Sequence, residues 1–238
     1  MTLLNIAAYK FIRLDNLAEL KTDLYTLAET HNILGTILLS PEGINLMLTG
    51  LSENIEIFRN HLKSDSRFAD LHYKESHPEE QTYNRLLIKI KKEIIAFGVD
   101  SIDPIQQQAA YIKPIDLKQW LDEKRDFVFL DTRNIYEIEA GTFEQASHLN
   151  IENFRHFPAA AKNLDNNLKE KTVVTFCTGG IRCEKAALLL QQYGFKDVYQ
   201  LEGGILDYFA ECGNAHYQGE CFIFDKRRGL SADDVNNH

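Results

Sequence analysis

Cys177 lies in the stretch with the clearest chemical potential, Cys177-Thr178-Gly179-Gly180-Ile181-Arg182. The apolar, β-branched run 173–176 before it predicts a buried strand, and the helix formers of 184–190 after it predict a helix. A cysteine between a strand's carboxyl end and a helix N-terminus meets converging backbone N–H groups and the positive end of the helix dipole. Both favour the thiolate, which is the nucleophilic form. We therefore predict that Cys177 is ionised at the mouth of a sheet.

Arg182 is predicted to share the catalytic role, because its guanidinium is a permanent cation with a fork of donors for an anion. The adjacent glycines permit the backbone angles of a tight turn. The residues expected to bind substrate through this turn are Thr178, Gly179, Gly180 and Ile181. The alternative is that Cys177 is a small buried hydrophobe, which is the usual fate of a free cysteine. A Gly-Gly turn and an arginine have no reason to surround an inert thiol, so we favour the reactive interpretation.

Four residues separate Cys177 from Arg182. This spacing resembles the Cys-x4-Arg loop of the rhodanese family, in which the cysteine carries a persulfide. Related phosphatases have one more residue in the loop, which makes room for a phosphate. The shorter loop therefore disfavours a phosphatase.

The four cysteines are all in the last third of the chain and form no Cys-x2-Cys pair; they are Cys177, Cys183, Cys212 and Cys221. This pattern favours a reactive thiol in a reducing compartment over a disulfide scaffold or a zinc site. Cys183 has two interpretations. It could resolve an oxidised Cys177 by forming a disulfide, or it could pack the helix as a buried thiol, and the second is favoured.

Residues 116–215 are predicted to form a rhodanese-like α/β domain. Its expected strands are 127–130, 173–176 and 198–201, and its expected helices are 116–123, 159–168, 184–193 and 205–210. Strands that alternate with helices indicate a parallel sheet, whose ligands lie beyond the carboxyl ends of the strands. Cys177 and Asp131 both fall there.

Asp131 and Arg133 follow the first of these strands and are candidate substrate-binding residues. They could hydrogen-bond the loops around Cys177, or form a structural contact that fixes the shape of their own loop. The two interpretations are compatible, and neither is preferred.

Residues 1–100 are predicted to form a ferredoxin-like α+β domain. Strands at 6–12, 35–39, 44–48 and 71–75 alternate with helices at 16–31 and 52–63, capped by Asp15 and Ser52, which gives the order β-α-β-β-α-β. A further mixed strand segment is expected at 85–96. Pro104, Pro114 and a glutamine run mark 101–115 as a linker. Residues 216–238 are expected to form a strand and a basic tail, disordered over 231–238.

Lys89 and Lys91 lie in the densest basic segment of the first domain, and strand alternation places them on one face. They could bind the phosphates of an RNA backbone. The alternative, which is favoured on this evidence alone, is a solvated sheet face or an edge strand guarded by lysine.

The composition is that of an ordinary soluble globular protein, with 44% hydrophobic and 26% charged residues. No apolar run is long enough to span a bilayer, and the N-terminus lacks the features of a signal peptide, so a cytoplasmic location is expected. The net charge of −9 disfavours generic nucleic-acid binding but leaves room for a local basic patch.

A more specific resemblance extends over nearly the whole chain. Its segments are Pro41-Glu42-Gly43-Ile44-Asn45, Leu130-Asp131-Thr132-Arg133-Asn134, Phe176 to Ala186, Tyr199 to Ile205 and Gly219-Glu220-Cys221-Phe222. In this order they resemble the rhodanese-domain tRNA uridine hydroxylases. The resemblance implies hydroxylation of the wobble uridine of tRNA, position 34 in the anticodon loop, at carbon 5 with molecular oxygen as co-substrate, and it places the active cysteine at Cys177.

The residues themselves supply no resident cofactor. We find no dinucleotide fingerprint and no two-His, one-carboxylate iron site, so the electron donor is not identified and no metal is predicted. Two other functions are weighed against the hydroxylase. One is a sulfurtransferase with a persulfide on Cys177, and the other is a non-catalytic RNA-binding adaptor, which the intact cysteine loop disfavours.

Overall fold

The computed structural model describes residues 2–236. The chain forms two compact units, one of residues 2–95 with 225–227 and one of residues 96–224 with 228–236. The predicted boundary lay at residue 100, and 101–115 was predicted as a linker. The structure instead includes 101–115 in the second unit, where this segment supplies a strand and the start of a helix.

The first unit contains five strands and two helices. They are β1 (Leu3–Phe11), α1 (Leu17–Thr30), β2 (Leu34–Ser40), β3 (Gly43–Leu51), α2 (Ser52–Ser64), β4 (Lys74–Ser76) and β5 (Leu86–Ile90). The sheet order is β4-β1-β3-β2-β5. Neighbouring strands are antiparallel except β2 and β5, which are parallel. The first four strands thus confirm the ferredoxin-like prediction, and β5 extends the sheet at one edge.

Alternation along the strands builds the core of this unit. Leu4, Ile6 and Ala8 of β1 are buried, as are the alternate residues Ile44, Leu46 and Leu48 of β3. The helices cover that face with Leu24, Ala28, Ile55, Phe58 and Leu62. The predicted caps are wrong, because Asn16 precedes α1 without a side-chain cap bond and Ser52 is already the first residue of α2.

The second unit is built on a parallel sheet, as predicted. Its elements up to residue 212 are β6 (Ala110–Ile112), α3 (Pro114–Asp122), β7 (Val128–Asp131), α4 (Ile135–Ile138), β8 (Gly141–Phe143), β9 (Ser147–His148), α5 (Phe157–Ala161), β10 (Thr172–Phe176), α6 (Ile181–Gln192), β11 (Asp197–Leu201) and α7 (Gly204–Cys212). The sheet order is β6-β11-β10-β7-β9, with β10 in the centre. All four pairings are parallel, so the strand ends meet at one edge.

The predicted helix 159–168 is shorter and earlier than expected. Helix α5 ends at Ala161, and a separate 3-10 turn covers Asn166–Glu170. The Asp165 side chain accepts a hydrogen bond from the backbone N–H of Asn167 and so starts that turn. Capping at Asp165 therefore divides what apolar spacing predicted as one helix.

The C-terminal segment is ordered where disorder was predicted. It contains β12 (Tyr217–Gly219), β13 (Cys221–Phe222), β14 (Gly229–Leu230) and α8 (Ala232–Asn236), and residues 237–238 of the predicted tail lie outside the described part. Ala232 and Val235 are buried in the core of the second unit. Ser231 and Asp234 cap α8 reciprocally, which is the Ser-x-x-acid signature of a helix start.

Within residues 2–236, no helix is both long enough and apolar enough to cross a membrane.

Candidate active site

Strand β10 delivers Cys177 to the carboxyl edge of the parallel sheet. The strand is fixed by its central position and by Phe176, whose ring packs 4.4 Å from that of Phe129 and 5.0 Å from that of Phe143. The chain then turns through Thr178 to Gly180, where Gly180 has φ of 99°, and enters α6. The predicted strand–turn–helix arrangement around the thiol is therefore present.

The Cys177 thiol faces donors from several directions. Its Sγ accepts a hydrogen bond from the backbone N–H of Gly180 at 3.2 Å. Burial alone raises the pKa of Cys177, but a hydrogen bond from the Cys183 thiol, the charge of Arg182 and the N–H groups of Arg182 and Gly180 outweigh it and lower the pKa from 9.0 to about 5. At neutral pH these contacts favour the thiolate.

The thiol is more enclosed than the sequence suggested. Cys177 has 0% exposed surface, whereas we expected the sulfur at the open mouth of the sheet. Thr178, Gly179 and Ile181 are partly exposed and form the outer side of the turn, while Gly180 is buried. The strand end is covered by its own turn and by the elements packed on it.

Glu137 is the principal residue that the sequence analysis missed. Its carboxylate accepts two hydrogen bonds from the Arg182 guanidinium, at 2.6 and 2.8 Å, and both side chains are almost fully buried. Glu137 also accepts from the backbone N–H of Asn134 at 3.1 Å. The Asn134-x-x-Glu137 spacing is a capping signature that could have revealed this residue.

This ion pair changes the role that can be assigned to Arg182. Burial alone lowers the pKa of the guanidinium, but Glu137 raises it, so the cation is retained. Both terminal nitrogens are occupied by Glu137, and one also lies 3.4 Å from the hydroxyl of Thr178. Arg182 therefore supplies charge beside the thiol, and the free fork of donors that we expected for an anion is already engaged.

The N-terminus of α7 holds the turn from the other side. The backbone N–H groups of Ile205 and Leu206 donate to the carbonyls of Cys177 and Thr178, at 2.9 and 3.1 Å. Gly204 makes this approach possible, because a Cβ there would lie 2.5 Å from the Cys177 carbonyl oxygen. Gly204 and the two N–H groups after it thus position the cysteine turn.

Asp131 and Arg133 form a buried ion pair with each other. Arg133 donates from Nε and from a terminal nitrogen to the Asp131 carboxylate, at 2.7 to 3.1 Å, and also to the carbonyl of Gly141. Asp131 raises the pKa of Arg133 against the opposing effect of burial. This geometry agrees with the structural alternative, in which the pair fixes the segment between β7 and β8.

Strand β13 packs against the turn. The Thr178 hydroxyl lies 3.5 Å from the carbonyl oxygen of Phe222, and the rings of Phe222 and Tyr136 are in edge contact at 5.4 Å. Burial raises the pKa of the neighbouring Cys221 to about 12, so this thiol is protonated. The C-terminal segment therefore belongs to the surroundings of Cys177.

Lys89 and Lys91 belong to the first unit and are exposed. Lys89 lies in the edge strand β5, and the backbone N–H of Lys91 continues the pairing to Leu39. In the tail, Lys226 donates to the carbonyl of Gln81 and Arg227 to the carboxylate of Asp225. Within residues 2–236, no group of three or more His, Cys, Asp or Glu side chains is arranged to hold a metal ion.

Two family models match the chain, one in each unit. Residues 3–94 match the UPF0176 acylphosphatase like domain, and residues 113–211 match the rhodanese-like domain. A solved rhodanese-like domain from Anabaena sp. is 24% identical, with a TM-score of 0.38, over 46% of this chain and 78% of that one.

Relatives that match nearly the whole chain are more similar to it in sequence than this solved domain is. The tRNA uridine(34) hydroxylase of Cupriavidus taiwanensis is 49% identical over 97% of this chain and 84% of the relative. The tRNA uridine(34) hydroxylase of Variovorax paradoxus is 48% identical over 97% of this chain and 90% of the relative. The tRNA uridine(34) hydroxylase of Bordetella petrii is 49% identical over 95% of this chain and 92% of the relative. With both domains matched and the cysteine turn intact, the chain belongs to the tRNA uridine(34) hydroxylase family.

Proposed function

We propose that this protein hydroxylates uridine 34 of tRNA at carbon 5, with molecular oxygen as co-substrate and Cys177 as the reactive group. The observation that carries the proposal is the buried Cys177 sulfur, whose pKa is lowered by the Cys183 thiol, Arg182 and two backbone N–H groups. The full-length relatives, which are named for this activity, support the choice of substrate. Because uridine 34 belongs to the anticodon, the partner is the anticodon loop, and the reaction takes place in the cytoplasm.

The residues around the turn have separate tasks in this proposal. Gly180 and Arg182 keep the sulfur ionised, Glu137 keeps the Arg182 cation in place, and the α7 N-terminus fixes the turn. The exposed side of the turn, with Thr178, Gly179 and Ile181, receives the uridine. Since Cys177 is enclosed, the uridine must leave the base stack and the cover over the sulfur must open before direct contact is possible.

The test is a reaction of the purified full chain with an unmodified tRNA transcript, oxygen and a thiol reductant. We expect 5-hydroxyuridine in the wild type, detected by nucleoside mass spectrometry, and none with Cys177→Ala. Isotopically heavy dioxygen should place its label in the product. Cys212→Ser, a cysteine on the far end of α7, serves as the matched control and should keep full activity. A wild-type enzyme without product, or label entering only from water, would contradict the proposal.

A sulfurtransferase is the second candidate, because a buried thiolate in a rhodanese-like turn is also suited to carry a persulfide. In that case Cys177 would accept sulfur from thiosulfate and pass it to cyanide. Turnover of this pair that disappears in Cys177→Ala, with tRNA left unmodified by the wild type, would favour this function over hydroxylation.

A further inference from the structure

Cys183 is the second thiol of the site, and the proposed hydroxylation gives it no part beyond its effect on the pKa of Cys177. It lies in the first turn of α6, six residues after Cys177, and both side chains have 0% exposed surface. One residue of the turn joins the two cysteines: the backbone N–H of Gly180 donates to the Cys177 sulfur at 3.2 Å, and the Gly180 carbonyl accepts from the backbone N–H of Cys183 at 2.9 Å. Both thiols are therefore enclosed at the same short turn.

The surroundings of Cys183 differ from those of a cysteine that only packs. Its sulfur lies 3.7 Å from the hydroxyl of Thr132, and that hydroxyl donates to the carbonyl of Phe176, the residue before Cys177, at 3.0 Å. Burial raises the pKa of Cys183 well above 9.0, and the nearby Cys177 sulfur raises it further. The site therefore holds one thiolate next to one thiol, which is the state from which a dithiol is oxidised.

The other two cysteines do not share this arrangement. Cys221 is buried in β13, where its sulfur lies near the carbonyl of Phe222 and the hydroxyl of Thr178. Cys212 is the last residue of α7 and is partly exposed. All four cysteines lie within the described residues, so Cys183 is the partner that the structure offers to Cys177.

We propose that Cys177 and Cys183 form a redox-active dithiol that supplies the two electrons required for hydroxylation by molecular oxygen, with Cys183 as the resolving thiol. This inference rests on the proposed function and adds the electron donor to it.

The overall step balances with these reactants and one proton from the solvent. The C5–H bond of uridine and the O–O bond break, one oxygen atom forms the C5–OH group, and the other leaves as water. The two cysteines lose two electrons and form one S–S bond; the S–H of Cys183 supplies one proton, and the solvent supplies the second because Cys177 is already ionised. Uridine, oxygen and two thiols thus become hydroxyuridine, water and a disulfide, and an external dithiol must reduce that disulfide before the next turnover.

The experiment follows a single turnover without added reductant. The full chain is reduced, freed of reductant without oxygen, and then mixed with an unmodified tRNA transcript and oxygen. Nucleoside mass spectrometry counts 5-hydroxyuridine, and peptide mapping after trapping of free thiols counts the Cys177–Cys183 disulfide. We expect both to rise together and to stop at one per chain, and added dithiothreitol should restore turnover.

Variants separate a redox role from a packing role. Cys183→Ser should give no single-turnover product but should regain activity with excess dithiothreitol, which a merely misfolded site would not do. The matched control Cys212→Ser should behave as the wild type. The disulfide count in the wild type does not depend on how well any variant folds, and far-ultraviolet circular dichroism checks the folding of each variant.

The possible outcomes distinguish the two proposals. Product without disulfide, disulfide that forms equally without tRNA, or a Cys183→Ser variant equal to the wild type without reductant would each overturn the dithiol inference and leave the hydroxylase intact. Absence of product in the wild type even with excess dithiothreitol would overturn the proposed function, and the dithiol inference with it.

Discussion

At the scale of single residues, the site is a balance of buried charges. The Cys177 sulfur, the Arg182 guanidinium and the Glu137 carboxylate are all shielded from water, so each charge depends on its neighbours. Cys177 and Arg182 could be found from spacing, because a cysteine turn and an arginine at this distance form a recognisable pattern. Glu137 could not be found in that way, because its partner is 45 positions away and only the fold brings them together.

The ionisation of Cys177 should be visible in a pH titration. The ultraviolet absorbance of the thiolate, taken as the difference between the wild type and Cys177→Ser, should rise with a midpoint near pH 5 instead of 9.0. Because the pKa is lower in the folded state, ionisation stabilises the fold fully above the unfolded pKa, and this contribution is lost as the pH falls through about 5. A midpoint above pH 8 would remove the basis for a thiolate.

The Glu137–Arg182 pair should be costly to break. Glu137→Gln leaves a buried guanidinium without its counter-charge, which typically costs about 3–5 kcal/mol of unfolding free energy. The measurement is urea unfolding of the full chain. Glu170→Gln, which removes one partner of the exposed pair with Lys196, is the matched control and should change stability little. Equal losses of unfolding free energy in the two variants would show that the buried pair stabilises the fold no more than the exposed pair does.

At the scale of elements, apolar periodicity predicted the long strands and helices well. Strands β1, β2, β3, β10 and β11 and helices α1, α2 and α6 lie within a few residues of their expected positions. The short elements α4, β8, β9 and α8 were missed, because two to five residues carry too little periodicity to be recognised. The active turn itself depends on α7, whose N–H groups bind the turn carbonyls, and no local pattern in 177–182 indicates this contact.

The contact between α7 and the cysteine turn can be tested at Gly204. Gly204→Ala would place a Cβ 2.5 Å from the Cys177 carbonyl oxygen at φ of 70°, and so displace the turn. A shift of about 1 Å at a reacting group can reduce turnover by about 10²-fold. We therefore expect a large loss of kcat in the tRNA hydroxylation assay.

Gly98→Ala is the control for backbone strain. Gly98 also has a positive φ, of 77°, but a Cβ there meets no atom within 4 Å. Gly98→Ala should lose about 1–2 kcal/mol of stability from the left-handed backbone and keep its turnover, whereas Gly204→Ala should lose more stability because of its backbone clashes and should also lose turnover. Similar kcat values for the two variants would argue against a positioning role of α7.

At the scale of the whole molecule, both the protein and its tRNA substrate carry net negative charge. The chain carries a net charge of −9, so tRNA must be held by local basic groups against a general repulsion.

The sequence correctly indicated two domains but misplaced their boundary. Strand β6 has only three residues, and the glutamines and prolines around it are typical of a linker, so pairing with β11 was not recognisable.

Lys89 and Lys91 offer a test of where that binding occurs. If each lysine contacts a phosphate, its replacement by alanine should weaken tRNA binding and reduce the slope of log K against log salt by about 1. The measurement is fluorescence anisotropy of labelled tRNA with the full chain at several salt concentrations. Lys63→Ala, an exposed lysine in the last turn of α2, is the matched control. Identical slopes for all three variants would assign these lysines to guarding the edge of β5.

The complete enclosure of the Cys177 sulfur also has a consequence for how this enzyme would be detected in cells. Proteome-wide surveys that tag reactive cysteines with bulky electrophiles would pass it over, although the groups around its sulfur favour the thiolate. Even a small oxidant such as hydrogen peroxide reaches the sulfur only when its cover opens, so the opening of the cover, more than the reactivity of the incoming molecule, decides what this sulfur meets.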